Sequence, residues 1–283
     1  LFNAPLLQSS KRQFLKLTPI EALLGSSGCR TLLGTISQVE EGRYYLEDLS
    51  GAVPVDLSTA QTMGGLICEG CTVIAEGSLL DGTFKVDMSG FPPPESRVSA
   101  LEATGYVDVF GNGTTPHQLR HLREMEEEAN DAMFVILSEV HLDKPIVLEK
   151  LRSLFEGYSQ VRPLPLFVFT GNFTSQAIGH GTDSVEQVLG YFNQLADLIC
   201  EFQDIKEHAR FVFVPGPHDP GAGNTVPRPG LPSFFTRALR KRVKHVQFAS
   251  NPCRIRFFSQ EIVIFREDIL KKMLRHCLMP SST

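Results

Sequence analysis

Several features that would assign a function directly are missing from this sequence. No apolar run approaches the roughly 20 residues needed to cross a bilayer, so we expect no membrane association. The phosphate-binding loop Gly-x-x-x-x-Gly-Lys-Ser/Thr and the nucleophile elbow Gly-x-Ser-x-Gly are both absent, which removes two common routes to nucleotide and ester chemistry. The formal net charge of −5 has the wrong sign for a protein that binds nucleic acid over its whole surface.

Cysteine is also scarce, with six residues scattered over 283. So few cysteines in so long a chain indicate reduced intracellular thiols, not a disulfide framework. Cys68 and Cys71 form a CxxC pair, but a structural zinc site needs four ligands and the sequence holds no second pair. We therefore interpret this pair as a turn followed by a strand residue, and expect no metal and no cofactor.

The length and a 42% hydrophobic composition predict about two folded domains. Between them lies the run Pro92-Pro93-Pro94, which cannot continue a helix or a central strand and so predicts a stiff connector. We expect four parts, namely an N-terminal connecting segment, a barrel, the connector with its lead-in, and a second domain that is incomplete at its C terminus. Their ranges are 1–25, 26–91, 92–116 and 117–283. Because the chain opens without methionine and stops abruptly, we expect it to be a piece of a longer protein.

The predicted barrel, residues 26–91, contains five closely spaced β-like runs. They cover residues 31–39, 43–48, 52–57, 71–79 and 83–88, with tight-turn sequences such as Asp81-Gly82 between them. The only helix we would place here is around residues 59–67. Five short strands in about 70 residues fit a small Greek-key barrel, of which the OB-fold is the commonest kind.

The charge of this predicted barrel bears on its partners. Residues 26–95 contain 3 basic and 10 acidic residues, a balance of −7. Such a surface repels a phosphate backbone, although OB-folds often bind single strands through basic grooves and stacked aromatic rings. We therefore expect the barrel to contact protein, and to contact DNA only weakly or indirectly.

After the connector, amphipathic helices alternate with continuous apolar runs. Helices are predicted over 117–129, 145–155 and 183–202, and strands buried on both faces over 132–137, 164–170 and 210–214. A further helix near 233–244 and β-like runs at 246–249, 254–258 and 261–265 follow. This alternation predicts a layered α/β domain.

Polar loops follow all three apolar strands. They read Ser138-Glu139-Val140-His141, Gly171-Asn172-Phe173-Thr174-Ser175 and Gly216-Pro217-His218-Asp219. Chemistry in layered α/β folds collects where strands end at their carboxyl edge. The order and placement of these loops resemble the calcineurin-like metallophosphoesterases, whose carboxylates, histidines and asparagine hold two catalytic metal ions.

The chain departs from this family at most of the ligand positions. The six positions that correspond to family ligands are Glu139, His141, Asn172, Ser175, Pro217 and His218. Glu139 is one methylene longer than the family's aspartate, and Asn172 lacks the negative charge that a bridge between two dications requires. Ser175 replaces the second acid of its loop, while Pro217 has no side-chain oxygen. Only His141 and His218 keep the ligand type. Hard dications need several carboxylate oxygens, so we expect a degenerate site with no catalytic residue and no metal.

A small barrel followed by a degenerate phosphoesterase domain is the arrangement of the B subunits of the replicative DNA polymerases alpha, delta and epsilon. The chain resembles that family, and within it the epsilon type, over about residues 30–275. The matching segments are 45–51, 131–135, 210–217, 251–255 and 261–268, and the loop Val-Pro-Gly-Pro-x-Asp-Pro at 214–220 is the most specific. The resemblance implies a nuclear, non-catalytic accessory subunit that binds the C-terminal cysteine-rich region of the catalytic chain during DNA replication.

One basic run stands apart from these motifs. Its members are Arg237, Arg240, Lys241, Arg242 and Lys244, on a predicted helix. It is either a solvated helix face or a contact for DNA or a partner protein. Two other functions also stay open, namely a divergent active metallophosphoesterase and a stand-alone OB-fold binder of single-stranded DNA.

Overall fold

The fold is described by a computed structural model that covers residues 15–105, 107, 114–177, 182–221 and 225–279. The chain divides into two compact units. The first is Leu1–Val107 together with Asp268–Thr283, and the second is Asp108–Glu267. Within the described ranges, no helix combines the length and the apolar character that a membrane crossing requires.

The described part of the first unit starts with a 3-10 helix, Ile20–Leu23, which is followed by seven strands. These are β1 (Arg30–Glu40), β2 (Arg43–Glu47), β3 (Ala52–Asp56), β4 (Gln61–Thr62), β5 (Ile67–Cys68), β6 (Thr72–Leu80) and β7 (Thr83–Gly90). The five longest run in the order β3-β2-β1-β6-β7, and a parallel pairing of β3 with β7, Val55 opposite Phe84, closes the sheet. The predicted OB-like barrel is therefore confirmed. A helix, α1 (Arg97–Ala103), follows the barrel.

Alternating side chains build the interior of the barrel. On β3 the valines at 53 and 55 are buried while Pro54 is exposed, and Leu32, Leu46 and Phe84 from the neighbouring strands are fully buried. Burial of each such side chain contributes about 1.5–3 kcal/mol. Gly77 sits at a bulge where a Cβ atom would lie 2.0 Å from the Lys85 carbonyl oxygen, so no larger residue fits there.

The helix expected around residues 59–67 is wrong. This segment forms β4 and β5 instead, with a turn between them. Gly64 and Gly65 have φ angles of +99° and +82°, which no right-handed helix contains.

The second unit is a layered α/β fold. Its elements are α2 (Pro116–Glu128), β8 (Phe134–Ser138), α3 (Pro145–Ser159), β9 (Leu166–Thr170), α4 (Thr182–Glu201), α5 (Gln203–His208), β10 (Arg210–Val214), α6 (Ser233–Arg242), β11 (Val246–Phe248), β12 (Cys253–Phe257) and β13 (Gln260–Ile264). Four of the strands form a parallel sheet in the order β11-β10-β9-β8, and β12 pairs with β13 as a hairpin. This confirms the α/β prediction, whereas a calcineurin-like layering of the unit stays a prediction.

Phenylalanine dominates the core on one face of this sheet. Phe169 stacks on Phe213 with 5.1 Å between ring centroids, and Phe213 stacks on Phe248 at 5.0 Å. The apolar stripe of α4, which includes Phe192 and Ile199, belongs to the same buried cluster. The opposite face is covered in part by Ile255 and Ile264 of the hairpin, with residues 168, 212 and 214 buried beneath them.

One expectation about the sheet is wrong. The first apolar run was predicted as a strand buried on both faces, but Ile136 of β8 is 54% exposed. The reason is topological, because β8 lies at the edge of the sheet, and among the strands that the structure describes β9 is its one neighbour.

The end of the described chain returns to the first unit. It forms α7 (Ile269–Arg275), capped by a hydrogen bond from the Lys271 backbone N–H to the Asp268 carboxylate, and then β14 (Cys277–Met279). Strand β14 pairs antiparallel with β5, and Cys277 lies opposite Cys68. Burial and the neighbouring thiols Cys71 and Cys277 raise the pKa of Cys68. No pattern in the sequence predicted β14.

Candidate functional site

The parallel sheet brings the three predicted loops together. Strands β8, β9 and β10 lie side by side in register, with Ser138 opposite Thr170 and Thr170 opposite Val214. Each strand therefore ends at the same edge, and the loops that begin at residues 139, 171 and 215 meet there. This register therefore brings together at one sheet edge the three loops that the sequence predicted to lie there.

Glu139 is the centre of the cluster at this edge. Its backbone has a φ angle of +56°, a left-handed conformation that costs a residue with a Cβ atom about 1–3 kcal/mol. The Oε1 atom accepts hydrogen bonds from the backbone N–H and the side-chain amide of Asn172, at 3.3 and 3.2 Å. The Oε2 atom lies 2.8 Å from Nε2 of His141. Both carboxylate oxygens are thus already engaged.

Asn172 is buried and uses both ends of its amide. The Nδ2 group donates to Glu139, while Oδ1 accepts a 2.9 Å hydrogen bond from the backbone N–H of His218. A carboxylate at this position could not donate to Glu139 and would place two negative charges side by side. The amide therefore joins two loops that a bridging carboxylate would force apart unless a cation lay between them.

His218 and Pro217 contribute little side-chain chemistry to the cluster. The imidazole of His218 is exposed, and it is the backbone of this residue that bonds to Asn172. Asp219, the next residue, accepts from the backbone N–H groups of Phe173 and Gly216 at 2.6 and 2.7 Å. Burial raises the pKa of Asp219, although these two hydrogen bonds act in the opposite direction. Asp219 thus ties the second loop to the third.

Ser175 does not join the Glu139 cluster. Its backbone N–H and its hydroxyl both donate to the carboxylate of Asp143, at 2.8 and 2.5 Å. Burial acts to raise the pKa of Asp143, but the hydrogen bonds from Ser175 outweigh it and the pKa lies below its usual value. The pair closes the loop after β8 onto the loop after β9.

Arg266 completes the cluster, and sequence reasoning missed its role. The residue follows β13, and its Nε donates a 2.7 Å hydrogen bond to the Gly171 carbonyl oxygen. Its guanidinium also forms a close ion pair with Glu139. The segment 261–268 contributes to the family resemblance, but nothing in its local pattern indicates that this arginine reaches the sheet edge.

Buried groups hold Arg266 in place. Asn251 is fully buried, and its side chain bonds to the backbone N–H and carbonyl of Arg266 at 3.0 and 2.6 Å. The neighbouring Glu267 forms an ion pair with Arg228 at 2.6 Å, and both of these side chains are 5% exposed. These contacts fix the backbone at Arg266 and so hold its guanidinium next to Glu139.

The residues at this edge do not fit a two-metal centre. The carboxylate of Glu139 faces a guanidinium, and the amide of Asn172 turns its donor toward that carboxylate. A metal ion needs lone pairs, which Pro217 cannot offer and which Glu139 has committed to Arg266. Among the residues that the structure describes, no group of three or more His, Cys, Asp or Glu side chains is placed to hold a metal.

The basic run lies on and just after α6, away from these loops in sequence. Arg242 pairs with Asp197 at 2.5 Å, and Lys244 lies 3.9 Å from Glu207. The guanidinium of Arg240 sits 4.4 Å from the centroid of the Phe248 ring. The run is thus partly neutralised, and only some of its charge faces solvent.

Comparison with known proteins agrees with this architecture. The family model of the DNA polymerase alpha/epsilon B subunit matches residues 134–283, and one described as "DNA polymerase epsilon subunit 2-like, OB-fold domain" matches residues 1–93. Human DNA polymerase epsilon subunit 2 is 44% identical over 100% of this chain and 55% of its own length. The B subunit of DNA polymerase epsilon from Arabidopsis thaliana is 39% identical over the same shares.

The similarity extends to yeast. The B subunit of DNA polymerase epsilon from Saccharomyces cerevisiae is 33% identical over 93% of this chain and 42% of its own length. The chain spans about half the length of the curated relatives it matches. Two family models that together cover the barrel and the α/β unit place the protein: the chain belongs to the B-subunit family of DNA polymerases alpha and epsilon.

Proposed function

We propose that the protein is a non-catalytic accessory subunit of a nuclear, epsilon-type replicative DNA polymerase. In this role it scaffolds the holoenzyme by binding the C-terminal cysteine-rich region of the catalytic chain. The observation that carries the proposal is the Arg266–Glu139 pair, which places a protein cation against the carboxylate that a metal enzyme would need. Similarity to relatives that are named as polymerase epsilon subunits supports the choice of complex.

The same pair argues against the alternative of a divergent phosphoesterase. Hydrolysis of a phosphodiester needs a metal-activated water and a clamp for the developing charge. With the Glu139 oxygens bound to Arg266, Asn172 and His141, the cluster offers a closed hydrogen-bond network and no open ligand set. Such a network stabilises the loops after β8, β9 and β10. We therefore infer a structural role for the former catalytic edge.

A stable interface with the catalytic chain should have a large buried area. Permanent hetero-complexes bury more than about 2,000 Å² in total, and their interface cores are apolar. An apolar core predicts assembly that is nearly independent of salt, because screening acts on exposed charges.

Co-expression with the C-terminal region of an epsilon-type catalytic chain tests the proposal. We expect the two to elute together in gel filtration at both low and high salt. The matched control is the C-terminal region of a catalytic chain from the alpha-type polymerase, which should elute separately. Separate elution of the epsilon pair at both salt concentrations, with each component folded, would remove the scaffold hypothesis.

A further inference from the structure

The helix α6 presents an open cleft with a distinct composition. The cleft has a volume of about 580 Å³ and is lined by Ser233, Phe234, Arg237, Arg240 and Lys241. Positions 234, 237 and 241 are spaced by three and four residues, so they share one face of the helix. Three of the five lining residues are cationic and none is acidic.

The structure separates the basic run into two groups. Arg242 is paired with Asp197, so its charge is offset. Lys244 lies 3.9 Å from Glu207, which also lies 3.6 Å from Lys206, so the charge of Lys244 is offset only in part. Arg237 and Lys241 are exposed, and neither forms an ion pair with a carboxylate among the residues that the structure describes. The positive charge of this segment is therefore concentrated in the cleft, which the sequence alone did not show.

Two contacts fix the geometry of the cleft. Arg240 is held by a 3.0 Å hydrogen bond from its Nε to the Thr236 hydroxyl and by its stacking over Phe248. Phe234 is 59% exposed, and its ring is held edge-to-face against Phe235 with 5.3 Å between centroids. A large exposed aromatic side chain next to three cations loses little entropy when a planar group stacks on it.

We infer that this cleft, formed by Phe234, Arg237, Arg240 and Lys241, is a binding site for single-stranded DNA. The cations would contact successive phosphates, and the ring of Phe234 would stack on a base, which is the combination that sequence-independent single-strand binders use. An acidic peptide would satisfy the charges but would leave the exposed ring without a stacking partner. The site goes beyond the proposed scaffold role and does not depend on it.

Fluorescence anisotropy of the full chain with labelled oligo(dT) tests the inference. Binding should be weak, with a dissociation constant on the order of 10 µM at low salt, as expected for non-specific contacts. Three phosphate contacts predict a slope of about −2 in a plot of log K against log salt concentration, since each contributes about −0.7 on single strands. Absence of binding by the wild-type chain at low salt overturns the site.

Paired variants with the same charge change make the test specific. The double variant Arg237→Gln with Lys241→Gln should bring the slope to about −0.7 and weaken binding at low salt at least tenfold. The matched control, Arg242→Gln with Lys244→Gln, removes two charges from the same segment and should leave both quantities within twofold of wild type. Equal losses in the two double variants would mean that net charge alone attracts DNA, and would refute the site.

Phe234 and a competitor decide the nature of the ligand. Phe234→Ala should weaken binding about tenfold while the salt slope stays unchanged, because stacking releases no counterions. Unlabelled oligo(dT) should displace the probe at lower concentration than poly-glutamate of equal charge. An unchanged affinity in Phe234→Ala, or equal competition by poly-glutamate, would contradict the inference and favour an acidic protein segment. Circular dichroism melts of each variant establish that it is folded.

Discussion

Replacing Arg266 with methionine should destabilise the second unit by about 2 kcal/mol. The change keeps an unbranched apolar stem as far as about the Nε position but removes the guanidinium charge and the hydrogen bond to the Gly171 carbonyl. Loss of a partner leaves a buried acceptor unsatisfied, which costs about 1–3 kcal/mol. The Arg266 side chain is 19% exposed and that of Glu139 is 42% exposed, so the unpaired carboxylate adds less than the 3–5 kcal/mol of a fully buried pair.

Urea unfolding of the full chain measures this loss. With a slope of about 2 kcal/mol per molar urea, the transition that reports the second unit should move down by about 1 M. The matched control is Arg152→Met, which breaks the Arg152–Glu201 pair between α3 and α4, where the arginine side chain is 55% exposed compared with 19% for Arg266. That variant should lose less than about 1 kcal/mol.

A double-mutant cycle identifies the cause of the loss. Glu139→Gln removes the negative charge, so adding Arg266→Met to it should cost about 1 kcal/mol less than in the wild-type background. The reasoning would be refuted by an Arg266→Met midpoint equal to wild type, by an equal loss in Arg152→Met, or by strictly additive single changes.

Two further predictions concern chemistry and pH. The purified chain should show no metal-dependent hydrolysis of a chromogenic phosphodiester with manganese, zinc or iron, because the carboxylate of Glu139 is paired with Arg266. Turnover that disappears in His141→Ala would overturn the non-catalytic assignment. Asp48→Ala should destabilise the barrel by about 1–2 kcal/mol at pH 7, because this carboxylate accepts from the backbone N–H groups of Ile20, Ser50 and Gly51. Burial acts to raise the pKa of Asp48, but these hydrogen bonds and the Ser50 hydroxyl outweigh it and hold the pKa below the ordinary value of 3.8. A depressed folded-state pKa gives stability that is complete above the ordinary pKa of 3.8 and is lost as pH falls through the folded-state pKa. Wild type and variant should therefore converge in acid-unfolding curves, and a stability difference that does not shrink as pH falls below 3.8 contradicts the assignment.

Local patterns predicted most of the fold because they report burial directly. The five strands of the barrel and the helices α3, α4 and α6 follow from periods of two and 3.6 residues, whereas α2 forms where it was predicted although none of its residues is buried. Such patterns carry no information about position within a sheet, which is why β8 was expected to be buried on both faces although it lies at an edge. The helix expected at 59–67 failed for a different reason, since two consecutive glycines override a weak apolar pattern.

The site was predictable only as far as its elements were local. Glu139, Asn172 and His218 could be placed at one edge because each follows a predicted strand. Arg266 could not be placed there, because it is separated in the sequence from its two contacts, Gly171 and Glu139, by 95 and 127 positions. The split of the basic run likewise depends on Asp197 and Glu207, which come from other elements.

The pairing of β14 with β5 has a consequence for how the chain is made. The Cys68 thiol donates to the carbonyl oxygen of Met273, a contact between residues 205 positions apart. During synthesis the barrel strands leave the ribosome long before β14, and residues of the whole second unit are translated in between. Strand β5 therefore stays without its β14 partner until residues 277–279 have left the ribosome. If the second unit folds first, the effective loop between β5 and β14 is shorter, and the entropic cost of pairing these two strands is lower.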